Sequence, residues 1–104
     1  MQIDVDAPVG AMKALAEPLR WHIVELLAGE DLCVCHLVEE LDVPQPLVSH
    51  HLKVLRDAGL VESERFRYWT YYRLRTEALA EVGRAFVRVA EQVPALGERR
   101  RPCC

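Results

Sequence analysis

The stretch Gln45 to Ala58, QPLVSHHLKVLRDA, constrains this chain more than any other. Wound at 3.6 residues per turn, it puts Val48, Leu52 and Leu55 on one stripe, with His51 and Ala58 at its edge. Ser49, His50 and Lys53 fall together on the opposite side, with Asp57 at the far end. Pro44 and Pro46 break any helix that precedes it, and Gly59 stops this one. Taken alone, the stretch is equally an ordinary amphipathic helix. The flanks decide between that and a helix held out by its polar face.

Upstream, Val34 to Leu41 has the spacing of a short helix, with Val34, Leu37, Val38 and Leu41 inward. Asp42-Val-Pro is a turn, so the pair is predicted as helix, tight turn, polar-faced helix. Downstream the period changes. LVESERF and YWTYYRL are rich in β-branched and aromatic residues and alternate in part, which predicts a hairpin over Leu60–Leu74 turning near Phe66-Arg67. A hairpin that follows a recognition helix is a wing. Arg65 and Arg67 at its tip are predicted beside phosphates or the minor groove, with Gln45, Ser49, His50 and Lys53 facing base edges and phosphates. The expected class is mainly α with a β-hairpin wing, a dimeric winged helix-turn-helix that binds double-stranded DNA.

A net charge of −3 argues against a DNA binder until its distribution is read. Residues 1–43 carry −7, residues 44–75 carry +3 and residues 76–104 carry +1. Positive charge gathers where DNA would be met, and the local field governs encounter more than the total does. Length fits one domain, 1–93, followed by a polar Cys-containing tail, 94–104. No apolar run approaches bilayer length and MQIDVDAPVG lacks the regions of a signal peptide, so a soluble cytoplasmic protein with no membrane partner is expected.

Ala7 to Ala16 has the pattern of a first helix, with Val9, Met12, Leu15 and Ala16 apolar. Pro18 opens a second, running to Ala28, with Leu19, Ile23, Leu26 and Leu27 buried and Gly29 as its stop. Trp21 and His22 fall off that stripe; Trp21 is expected to pack on a neighbouring element and His22 to be structural or solvated. Leu32 is expected to make a short extended contact. Glu77 to Val93 is the last helix. Its stripe of Leu79, Val82, Phe86, Val89, Ala90 and Val93 exceeds what so small a domain can cover, so it is assigned with the first helix to a homodimer interface.

The cysteines come as two close pairs, Cys33 with Cys35 and Cys103 with Cys104. Neither spacing suits a structural disulfide or a zinc knuckle, whereas close thiols suit a soft ion. Cys33 is expected near the N-cap of the third helix and Cys35 in its first turn. Helical positions two apart point about 200° apart, so gripping one ion is expected to distort that turn. The helix N-terminus is expected to favour thiolate. A thiol enzyme or metal carrier is the weaker reading, because no base or orienting group stands beside Cys103 and Cys104, and Ser49-His50 are adjacent on a helix and cannot form a dyad.

Residues 14–74 resemble the ArsR/SmtB family of metalloregulatory winged-helix repressors, on DLCVCHL and PQPLVSHHLKVLRDAGLV. The resemblance implies a homodimer that represses its own operon and leaves operator DNA when arsenite or antimonite, As(III) or Sb(III), binds as inducer, with no organic cofactor. Three departures qualify it. The third cysteine of the arsenic-sensing box is Val38 here, so the box is one ligand short. The last helix lacks the Asp and His ligands of zinc and cobalt sensors. The wing tip lacks the usual Gly. The missing thiolate is assigned to Cys103 or Cys104, since the eleven steps from Val93 to Cys104 span at most about 36 Å. The alternative is a sensor of another soft ion, cadmium or lead, or a thiol-oxidation switch on the same cysteines.

Overall fold

Prolines and turn residues bound the elements of this chain, and the structure shows how each boundary is held. It is a computed structural model that describes residues 6–94 and 100–103. The elements run α1 (Asp6–Leu15), α2 (Pro18–Gly29), α3 (Val34–Leu41), α4 (Gln45–Asp57), β1 (Val61–Phe66), β2 (Trp69–Leu74) and α5 (Thr76–Glu91). Pro18 opens α2, and the Glu17 carboxylate caps it by accepting the Arg20 N–H at 2.9 Å. Gly29 lies inside α2 rather than beyond it. Asp42 closes α3 in the left-handed region, φ 54°, and donates its N–H to Val38 at 2.9 Å.

The end of α4 explains Gly59. The Gly59 N–H reaches the Arg56 carbonyl at 2.9 Å and the Leu60 N–H reaches Leu55 at 3.0 Å, while Gly59 takes φ 77°. This is a Schellman closure, in which a left-handed residue reverses the chain and the flanking apolar pair meets. Leu55 and Leu60 are that pair, and both are fully buried.

The core lies where α2, α3 and α4 meet the base of the hairpin. Ile23, Val24 and Leu27 of α2, Leu37 of α3, and Val48, Leu52 and Leu55 of α4 fill it with Val61. The stripe on α4 is therefore buried as its spacing requires, with His51 buried at its edge. Helix α1 departs from expectation. Its buried residues are Ala11 and Ala14, which pack into the core cluster with the larger side chains of α2 and α4. Val9 and Ala16 are exposed, and Met12 and Leu15 turn toward a groove shared with α5.

The hairpin is antiparallel, with Val61 opposite Leu74 and Phe66 opposite Trp69. The turn is thus Arg67-Tyr68, one residue beyond the expected centre, and Arg67 itself adopts the left-handed φ of 58° that a Gly would take without strain. Leu32 pairs with Tyr72 as an isolated antiparallel bridge, the short extended contact anticipated for it. Helix α5 ends at Glu91 rather than at the expected Val93, packs on α1 and buries only Val82; Phe86 and Val89, and Val93 beyond its end, are exposed. Among the described residues, no helix is long and apolar enough to cross a membrane.

Candidate functional site

The polar face of α4 is open. Gln45, Ser49, His50 and Lys53 are all exposed, as are Arg65 and Arg67 on the wing. The start of α4 has no side-chain cap, which leaves the positive end of the helix toward solvent, a favourable place for a phosphate. Lys53 Nζ lies 2.9 Å from Asp57 Oδ2, one helical turn on. That hydrogen bond, with the Lys53 charge, holds the Asp57 carboxyl below its usual range. An exposed pair of this kind is weak, so Lys53 can exchange Asp57 for a phosphate at little cost.

The wing tip mixes cations with aromatic rings. Arg67 sits over the Phe66 ring at 5.6 Å, and Arg65 Nε donates to the Arg67 carbonyl at 3.3 Å. Tyr68 and Trp69 are exposed beside them. Arg73 is spent elsewhere: it lies 3.6 Å from Asp31 and 3.9 Å from Glu62, and it also contacts Glu64. It therefore adds nothing to the basic face, although it is counted in the charge of that segment.

His51 locks the buried side of α4. Arg20 Nη1 lies 3.0 Å from His51 Nδ1, and Arg20 Nε donates to the Ala14 carbonyl at 2.6 Å. Arginine can only donate, so Nδ1 accepts and the ring proton sits on Nε2, 3.9 Å from Glu17. Burial, with the nearby Arg20 and His50, lowers the His51 pKa against the opposing pull of Glu17. One cluster thus ties α4 to the end of α1 and the start of α2. The sequence pattern places His51 at the stripe edge but gives no sign of Arg20 or Glu17, whose partners lie in other helices.

The two thiols at the head of α3 sit in different surroundings. Cys33 is the N-cap of α3 and is buried, at 6% exposure; Cys35 is exposed in the first turn. Cys33 has extended backbone, φ −84° and ψ 164°, and so lies outside the helix. The expected 200° divergence between the two thiols therefore does not apply, and it gives no reason for an ion to distort the turn. The pair are close enough that Cys35 raises the Cys33 pKa through its charge and a hydrogen bond. Burial raises it most, which corrects the expectation of a favoured thiolate there; a hydrogen bond from Tyr71 works the other way. Tyr71 is the site residue that sequence reasoning missed.

His36 is not a free donor. Its Nδ1 accepts the Cys33 N–H at 3.0 Å, which completes a capping box at the head of α3. Among the described residues no group of three or more His, Cys, Asp or Glu side chains could hold a metal, so Cys33 and Cys35 stand as a pair without a third such side chain. Cys103 is exposed, and Cys104 lies outside the described residues.

Behind this face, Met12, Leu15, Ala16, Trp21, Leu79, Val82, Gly83 and Phe86 line an apolar groove of about 580 Å³ between α1, α2 and α5. Trp21, expected to pack on a neighbouring element, is part of this groove and remains partly exposed.

Comparison with known proteins bears on this architecture. Residues 17–63 match the family model described as bacterial regulatory protein, arsR family. The chain is 38% identical over 71 residues to a helix-turn-helix transcriptional regulator of Methanocaldococcus jannaschii, covering 67% of this chain and 80% of that one. It is 46% identical to the transcriptional repressor SmtB of Mycobacterium tuberculosis, covering 75% of this chain and 58% of the repressor. It is 40% identical to an arsenic resistance transcriptional regulator of Pseudomonas putida, covering 71% and 59%. The chain thus spans less than two thirds of the latter two relatives. Among solved structures, an ArsR-like regulator from a Rhodococcus species superposes with a TM-score of 0.77 at 26% identity, covering 84% of this chain and 82% of that one. A homodimeric winged helix-turn-helix domain from Mycobacterium bovis gives 0.68 at 30%, covering 86% and 85%. The exposed face of α4, the wing and these likenesses agree: this chain belongs to the ArsR/SmtB family of winged helix-turn-helix transcriptional regulators, which are DNA-binding proteins and not enzymes.

Proposed function

We propose that the chain is a homodimeric repressor that holds operator DNA through α4 and the wing and releases it when arsenite or antimonite binds Cys33 and Cys35. The observation that carries this reading is the thiol pair at the head of α3, the helix packed directly against α4. The arsenic resistance regulator among its relatives supports the choice of ion. So does the chemistry: trivalent arsenic prefers thiolate to imidazole, and the imidazole nearest the pair is already engaged as a cap. Arsenous acid condenses with three thiols by forming three arsenic–sulfur bonds and releasing three waters, with no change of oxidation state. The third thiol is Cys103 or Cys104, brought by the tail of the same subunit or its partner. The apolar groove of α1, α2 and α5 supports the dimer, as does the homodimeric neighbour. In DNA contact, Ser49, His50 and Lys53 read and position, Gln45 lies at the start of α4, and Arg65 and Arg67 bind phosphates from the wing.

The test is a mobility shift on the DNA upstream of the gene. Wild type should retard it and arsenite should release it, at a lower concentration than cadmium does. Cys33→Ser and Cys35→Ser should still bind the DNA and no longer respond. Release by arsenite that persists in both single variants rules out this site.

A further inference from the structure

The thiol segment is also bridged to the wing. Leu32 donates its N–H to the Tyr72 carbonyl at 3.1 Å and accepts the Tyr72 N–H at 2.8 Å, in antiparallel register. That register sets Asp31 opposite Arg73 and Cys33 opposite Tyr71, and directly opposed side chains in such a pair lie within contact distance. The first pairing is seen in the Asp31–Arg73 ion pair at 3.6 Å. The second sets Tyr71 against Cys33 across the bridge, near enough for each to perturb the other's acidity. Three consecutive residues of the sensor segment are therefore zipped to the middle of β2.

An ion shared by Cys33 and Cys35 must reach a buried sulfur from the side of an exposed one. Tyr71, half-buried, is the side chain that the bridge register sets opposite that sulfur. It borders a cleft of about 340 Å³ with Asp31, Glu64, Phe66 and Arg73, so its ring has room to move. Its backbone does not move alone. Tyr71 pairs with Glu64 of β1, and the hairpin is hydrogen-bonded from Val61–Leu74 out to Phe66–Trp69 beside the tip. We infer that an ion at Cys33 and Cys35 displaces the Tyr71 hydroxyl, opens the Leu32–Tyr72 pairing and so swings the wing, which makes Tyr71 the positioning residue that couples the thiol site to the DNA-facing surface. The coupling rests on the ion site proposed above. It differs in the route: the signal leaves through β2 rather than by unwinding α3.

Amide hydrogen exchange on the full chain, with and without sodium arsenite, tests it, since the Leu32 and Tyr72 amides are the two donors of the bridge. Arsenite should speed their exchange in wild type on the order of tenfold or more, because a local opening is what exchange reads. Tyr71→Phe keeps the ring and removes the hydroxyl. It should bind arsenite with the same stoichiometry by intact mass, exchange these amides faster than wild type without the ion, and gain less than about threefold on adding it. Two results overturn the coupling while sparing the ion site: arsenite bound with both amides still protected, or the same large response in Tyr71→Phe as in wild type. Absence of arsenic from the wild-type mass overturns the ion site and the coupling together.

Discussion

Helices α4 and α5 carry similar apolar stripes and meet different fates. In α4, Val48, Leu52 and Leu55 are fully buried, and the polar side is left free. In α5, only Val82 is buried, while Phe86 is 60% and Val89 65% exposed. The difference follows from position. Helix α4 lies among α1, α2, α3 and β1, whereas α5, after the wing, packs chiefly on α1. A stripe covered by its own chain fixes a helix so that its other face can be used. A stripe left uncovered is available to a partner, and the homodimer proposed above would cover it.

Substitutions should separate the two helices, the largest effect first. Leu55→Ala removes a side chain that has no exposure and should lower the stability of the fold by about 2–5 kcal/mol, read by urea denaturation. Phe86→Asp with Val89→Asp should leave the secondary structure of the chain intact and weaken the dimer on the order of 100-fold, as removal of an aromatic anchor does, read by sedimentation. If Phe86→Asp with Val89→Asp instead unfolds the chain as a monomer, α5 belongs to the core and the comparison fails.

How far each helix is legible in the sequence follows the same division. The stripe of α4, its proline start and its glycine stop are all local, and period and turn chemistry report local structure. The stripe of α5 is equally visible, and its excess over the core is a sound reason to look for a partner. What periodicity cannot show is side chains meeting across elements. Arg20 sits on α2 and His51 on α4, thirty-one positions apart, yet they share a hydrogen bond. Tyr71 looks like one aromatic among several in β2 until the Leu32–Tyr72 register sets it opposite Cys33. The sequence places Cys33 at the N-cap, as the structure does, but a helical backbone assumed there puts the two thiols on opposite sides.

Two smaller effects sharpen the picture of α4. His50→Ala with Lys53→Ala should keep the fold and the dimer and weaken DNA binding by about 1–3 kcal/mol for each base-reading side chain removed, measured by anisotropy on labelled promoter DNA. The smallest concerns pH. The folded pKa of His51 lies below its ordinary value of 6.5, so between the two the unfolded chain binds more protons than the folded one. His51 therefore contributes its full stabilisation above about pH 6.5, and that contribution is lost as pH falls through the folded pKa. His51→Gln retains an acceptor for Arg20 and does not titrate. Thermal unfolding followed between pH 7.5 and 5 should show a shallower acid decline in His51→Gln than in wild type.

Arsenite should act on one of these two helices and leave the other as it was. Sedimentation velocity of the protein with fluorescent promoter DNA, titrated with arsenite and followed at the protein and DNA wavelengths, measures both faces in one sample. The DNA should return to its free sedimentation rate while the protein remains a dimer, so that the α4 face empties and the α5 face stays filled. A dimer that stays on the DNA at saturating arsenite, or DNA released only as the protein falls to monomers, would contradict it.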